Sequence, residues 1–141
     1  MEFESARTVV YPWACDSMGH FATQNYMKVF DDATLHLLGA LGYSLRDAEE
    51  SRRGWADVSH KIDYLAELRA GDLLAAFSSV QRVGNKSLTY RTRIVRTDRL
   101  QDDCAVLTGV VVYFDLDHRR ALPLPDDIRA AGFAALGGGA P

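Results

Sequence analysis

Residues 24–41 carry the one long helical pattern in this chain, and almost everything after Trp55 alternates with a period of two. Tyr26, Phe30, Ala33, Leu37 and Leu41 fall at helical spacing, and Met27, Thr34 and Leu38 widen the stripe. A stripe this wide predicts a helix enclosed by other structure along most of its length. Thr23 is the expected cap of the first turn, and Gly42 the expected left-handed stop.

The rest of the pattern reads as strands. Phe3 to Pro12 predicts one strand, with Phe3, Val9 and Tyr11 on a shared face and Pro12 ending it. From Trp55 to Leu68, Ala56, Val58, Ile62, Tyr64, Ala66 and Leu68 point one way, with Asp57, Ser59, Lys61 and Asp63 opposite. Leu73 to Val83 and Ser87 to Arg96 follow, joined by a hairpin at Gly84-Asn85, a pair that tolerates positive φ. Asp102-Asp103 marks a further turn. Ala105 to Leu116 is apolar on both faces, which fits a central strand or one at a subunit interface. Leu124 to Ala135 predicts a short C-terminal helix.

The order is strand, long helix, then four strands joined mainly by hairpins. It predicts an α+β fold: an antiparallel five-stranded sheet around one long central helix. Residues 1–135 are expected to form one domain, with a disordered Gly-rich tail at 136–141. Apolar residues on more than one strand face predict a homodimer or homotetramer.

Composition narrows the function classes. A chain of 141 residues with 48% apolar and 25% charged residues is globular. A net charge of -3 argues against a nucleic-acid partner. No apolar run is long enough to span a bilayer, and residues 1–20 lack the apolar core of a signal peptide. Two cysteines, Cys15 and Cys104, are too few for a disulfide framework. The cytoplasm is the expected location.

The chemistry-bearing stretch is Asp16-Ser17-Met18-Gly19-His20, placed between the first strand and the helix. A carboxylate there sits beside a helix N-terminus, which offers free N–H groups and a partial positive charge. Asp16 can attack an activated acyl group or activate water, and the helix end can stabilise the oxyanion. Each residue also has a purely structural role open to it. Asp16 suits a turn, Gly19 a tight bend, and His20 either orients the loop or packs against it. Asn25, on the first helical turn, contacts ligand or braces the loop. His60 falls on an apolar strand face. The four histidines show no metal-ligand spacing, and Cys15 and Cys104 form no ligand pair, so no metal is expected.

With these residues in place, the chain resembles the hotdog-fold acyl-CoA thioesterases, in particular the hydroxybenzoyl-CoA thioesterase-like branch. The resemblance rests on Asp16-Ser17-Met18-Gly19-His20, Asn25-Tyr26, Phe30, Ala33, Asp63-Tyr64-Leu65, Arg69-Ala70-Gly71-Asp72 and Val83-Gly84-Asn85-Lys86-Ser87-Leu88. It spans roughly residues 5–115. It implies that Asp16 is the catalytic carboxylate and that the Thr23 amide polarises the thioester carbonyl. It implies sites between subunits and no metal or redox cofactor, with CoA present only as part of the substrate. It also raises Arg82, Lys86 and Ser87, which flank the Gly84-Asn85 turn, as contacts for the CoA phosphates. Gly19-His20 departs from the aliphatic residue that many relatives carry after the glycine, and Phe21-Ala22-Thr23-Gln24 is less aromatic than in aryl-CoA members. Two other functions draw on the same residues. A hotdog dehydratase or hydratase would pair Asp16 with His20, and an acyl-CoA or acyl-carrier binding module would bind without turnover.

Overall fold

A computed structural model of the protein describes residues 1–136. The elements in order are β1 (Glu2–Val9), a single 3₁₀ turn (Pro12–Ala14), α1 (Thr23–Ala40), α2 (Leu45–Ser51), β2 (Arg53–Tyr64), β3 (Leu73–Val83), β4 (Ser87–Arg96), β5 (Arg99–Asp115), β6 (Arg120–Ala121) and α3 (Asp126–Ala135). The strands form one antiparallel sheet in the order β1-β3-β4-β5-β2, with β6 paired to β5. This is the expected hotdog arrangement. The sheet gains a sixth short strand, and α2 and α3 accompany α1. Of the tail expected at 136–141, only Leu136 lies within the described residues.

The long helix forms where the stripe places it, and Tyr26, Val29, Phe30, Ala33, Thr34, Leu37 and Leu38 are its buried residues. The apolar ones pack in one cluster with Leu74, Ala76, Val80, Leu88, Tyr90, Ile94, Leu107 and Val111 from β3, β4 and β5. Thr23 is not the cap. It is already helical, and Ala22 occupies the cap with no side-chain bond. Gly42 does end the helix: at φ 104°, its amide reaches Gly39 O at 3.0 Å, and the Tyr43 amide reaches Leu38 O at 3.0 Å. Both bonds belong to a Schellman stop.

Bulges account for most of the errors in strand facing. One between Glu4 and Ala6 shifts the phase of β1, so Val10 is fully buried while Tyr11 is exposed. Another, between Asp57 and Ser59, ejects Val58, which is 58% exposed. It turns Asp57 and His60 toward Met27, Asp31 and Thr34 of α1. The strand itself ends at Tyr64 rather than Leu68. Asp102-Asp103 is no turn, because β5 begins at Arg99 and the chain reverses at Thr97-Asp98. α2 is two turns of mostly charged residues, too short for a periodic signal, and Ser44 caps it by accepting from the Asp47 amide at 3.4 Å.

The polar groups inside the sheet satisfy one another. Ser5 Oγ lies 2.7 Å from Ser78 Oγ, which lies 2.7 Å from Thr92 Oγ1, a ladder across β1, β3 and β4. Among the described residues, no helix is long and apolar enough to cross a membrane.

Candidate active site

The loop between β1 and α1 is built as a closed turn. Cys15 bridges Phe21, and His20 bridges Arg69. The Asp16 amide donates to His20 O at 2.8 Å, and the Gly19 amide to Asp16 O at 3.0 Å. Gly19 has φ 79°, a left-handed value that glycine adopts without strain. Asp16 Oδ1 accepts from the amides of Met18 at 2.9 Å and His20 at 3.1 Å. Oδ2 accepts no hydrogen bond among the described residues. Asp16 therefore closes its turn with one oxygen and keeps the other free, so its structural and chemical roles do not compete.

Two side chains fix this loop against the scaffold. Asn25 Nδ2 donates to Ala14 O at 2.8 Å, which ties the loop to the first turn of α1. The His20 imidazole does not meet the Asp16 carboxylate. Its Nε2 lies 3.2 Å from Glu67 Oε2, which also pairs with Arg69 at 3.3 Å. What His20 gives Asp16 is its backbone, as donor and as acceptor.

The N-terminus of α1 faces the same region. Ala22 is extended, and its carbonyl accepts from the Asn25 amide at 2.9 Å. Among the described residues, the amides of Thr23 and Gln24 donate to no protein acceptor, as expected at a helix start. A groove of about 290 Å³ opens there, lined by His20, Thr23, Tyr26, Tyr64 and Glu67 among others. Burial pushes the Tyr26 phenol up to about 12, with Cys104, Tyr64 and Asp72 adding to the shift. Asp16 sits beside the groove on its loop and does not line it. A wider depression of about 440 Å³, between β1 and the second half of α1, includes no residue of the loop.

The remaining expected site residues lie apart. His60 is on β2 facing α1, with Nε2 3.4 Å from Asp57 Oδ1. Arg82, Lys86 and Ser87 flank the β3–β4 hairpin. The loop adjoins the opposite end of β3, where Val9 pairs with Leu73. Ten residue-to-residue steps of strand separate Leu73 from Val83, which is roughly 33 Å at 3.3 Å per step. One chain does not bring the hairpin to Asp16. Among the described residues, no three His, Cys, Asp or Glu side chains are placed to hold a metal ion.

The sequence profile of the thioesterase-like superfamily matches residues 10–132, which takes in the loop, α1 and all of β2 to β5. The chain belongs to this superfamily. It is a thioester hydrolase by that membership. No match to a curated protein sequence accompanies it. Solved structures agree in fold. A Staphylococcus aureus protein in complex with CoA superposes with a TM-score of 0.88 at 16% identity, over 100% of this chain and 89% of that one. A 1,4-dihydroxy-2-naphthoyl-CoA thioesterase from Synechocystis gives 0.80 at 19% identity, over 93% and 95%. A gentisyl-coenzyme A thioesterase gives 0.79 at 20% identity, over 94% and 99%.

Two residues of this thioesterase-like site escaped the sequence reading. Glu67, the partner of His20, lies in the irregular stretch after β2, where the alternation read through to Leu68 no longer sets which way a side chain faces. Tyr64 falls within the matched Asp63-Tyr64-Leu65, but its place opposite Tyr26, with ring centroids 5.1 Å apart, comes only from the fold.

Proposed function

We propose that this protein hydrolyses acyl-CoA thioesters to a free acid and CoA, with Asp16 as nucleophile or general base. The observation that carries this reading is the free Asp16 Oδ2 beside a helix start whose first two amides are unused. Thr23 lines the groove, and in this reading its unused amide receives the thioester oxygen as charge develops on it. A thiolate leaves readily, so the site needs no strong acid. The Tyr26 hydroxyl and the His20–Glu67 pair shape the groove around the thioester.

The exposed Asp16 loop favours a site completed by a second copy of the chain. Trp13 is 79% exposed, Met18 73% and Leu65 59%, all close to this end of the fold. Apolar groups of that size left in water favour an interface. A homodimer or homotetramer also resolves the separation of the hairpin from the loop. Arg82, Lys86 and Ser87 of one protomer serve a CoA whose thioester lies at the Asp16 of another. Arg82 and Lys86 have no acidic partner among the described residues, unlike Arg91, Arg93 and Arg96. His60 lies farther along the side of α1 that faces β2, against Met27 and Asp31, and is the residue nearest to a substrate role on that strand.

The dehydratase alternative needs the Asp16 and His20 side chains to act as a pair, and the His20 imidazole is turned to Glu67 instead. Thiol release from a panel of acyl-CoAs, with light scattering on the same preparation, tests the proposal. Turnover of at least one acyl-CoA by an oligomer is expected. An enoyl-CoA absorbance change without thiol release, or tight CoA binding with no turnover, would replace it.

A further inference from the structure

The β3–β4 hairpin is held from behind by a residue of another element. Arg129, on α3, donates from Nη1 to Gly84 O at 3.1 Å, and from Nη2 to Asn85 O at 2.7 Å and Asn85 Oδ1 at 3.2 Å. The Leu124 amide donates to the same Asn85 carbonyl at 2.9 Å. Both carbonyls of the turn are thereby drawn toward α3.

A trans peptide is planar, and its C=O and N–H point in opposite directions. With the Gly84 and Asn85 carbonyls turned to Arg129, the amides of Asn85 and Lys86 point away from α3. Among the described residues, neither amide donates to a protein acceptor. Successive N–H groups aimed the same way in a turn form an anion-binding concavity. The turn is tight: a Cβ on Gly84 would lie 2.6 Å from Ser87 Oγ, a hydroxyl that can rotate aside, and 3.3 Å from Ser87 O.

The basic side chains lie on that same outer side. Val83 packs against α3 at Gly132. Neighbouring strand residues point to opposite faces, so Arg82 projects away from α3. Lys86 is in the turn itself. Neither is in an ion pair among the described residues, so their charge is available to a ligand.

We propose that Arg129 is a positioning residue for CoA. By fixing the carbonyls of the hairpin, it presents the Asn85 and Lys86 amides, with Arg82 and Lys86, to a phosphate group of the CoA nucleotide. This rests on the acyl-CoA reading above. Arg129 acts through the turn and does not touch the phosphate. A lysine at 129 keeps the charge but lacks the planar fork that spans the acceptors.

The test is calorimetric binding of CoA and of pantetheine, which has no phosphate, to the parent, Arg129→Ala and Arg129→Lys. Without the charge-assisted bonds from Arg129 the turn samples other orientations, and the loss is read as weaker binding of CoA. Both variants should weaken CoA binding about tenfold or more, leave pantetheine binding unchanged, and keep the parent's far-ultraviolet circular dichroism. Dephospho-CoA in the same assay tells whether the 3′-phosphate or the diphosphate occupies the turn. Full recovery in Arg129→Lys would make Arg129 a direct charge contact and overturn the positioning role. Unchanged CoA binding in both variants, or an equal loss for CoA and pantetheine, would also overturn it. The readout is binding, so it stands apart from turnover. CoA binding with this pattern but no hydrolysis would overturn the thioesterase reading and leave the positioning role intact.

Discussion

Gly109 on β5 lies under the ring of Tyr90, and the fold leaves no room there for a methyl group. A Cβ at that position would sit 2.4 Å from Tyr90 Cζ, 2.5 Å from its hydroxyl and 2.7 Å from Cε1. Ordinary carbon–carbon contact is about 3.5–4.0 Å, so the overlap exceeds 1 Å. The ring cannot move aside freely. It is fully buried, and its hydroxyl lies 3.1 Å from Thr34 Oγ1, which donates to Phe30 O at 2.8 Å. Overpacking costs about 1–3 kcal/mol, and a ring held on both sides places Gly109→Ala near the upper end, about 2–3 kcal/mol. At the few degrees per kcal/mol typical of a chain this size, Tm should fall by about 6–12 °C. Gly39→Ala is the internal control. Gly39 is in α1 with nothing within 4 Å of a Cβ, so alanine there should raise stability by about 0.4–1 kcal/mol. Thermal melts and urea titrations of both variants report the two effects. A Gly109→Ala protein that melts with the parent would refute the placement of Tyr90 against β5.

Other perturbations have equally definite outcomes. Asn25→Ala removes the bond to Ala14 O, and should cost about 1 kcal/mol of stability while lowering kcat by loosening the Asp16 loop. A kcat equal to the parent's would show that the loop holds without this brace. Asp115 accepts from the His118 and Asp117 amides and the His118 ring, and these bonds pull its pKa from 3.8 to about 2. A lowered folded-state pKa means that its stabilisation is complete above the unfolded value of 3.8 and is lost as pH falls toward 2. Asp115→Asn should be less stable than the parent at neutral pH and lose less further stability between pH 4 and 2. Parallel stability curves for the two proteins would contradict this.

The legible parts of the fold were those with a repeating signal. The α1 stripe and the alternation in β4 place these elements closely, because burial of one face imposes the period. Gly42 marks the end of α1 through its left-handed φ of 104°; the β3–β4 reversal does fall at Gly84-Asn85, but neither residue there adopts the positive φ that the pair was expected to supply. What stayed hidden lacks a period. The bulges in β1 and β2 change the facing of Val10, Val58 and Asp57 without any composition signal. Thr97-Asp98, a two-residue reversal, is less distinctive than the acidic pair Asp102-Asp103, of which Asp103 instead pairs with Arg91 and Arg93 from within β5. The Asp16 loop was legible as a motif, but the roles inside it were not. That His20 serves Asp16 with its backbone while its ring meets Glu67 depends on contacts between distant segments.

The central claim is that Asp16 carries the chemistry. Asp16→Asn keeps the oxygen that accepts from Met18 and His20 and removes the charge on the side chain. On one accepted acyl-CoA, with Tm measured on the same preparation, kcat should fall by about 10²-fold or more, the usual size of a general-base contribution. Melting temperature and CoA affinity should stay close to the parent's. Turnover within a few-fold of the parent, or a loss that follows a lowered Tm, would contradict the account.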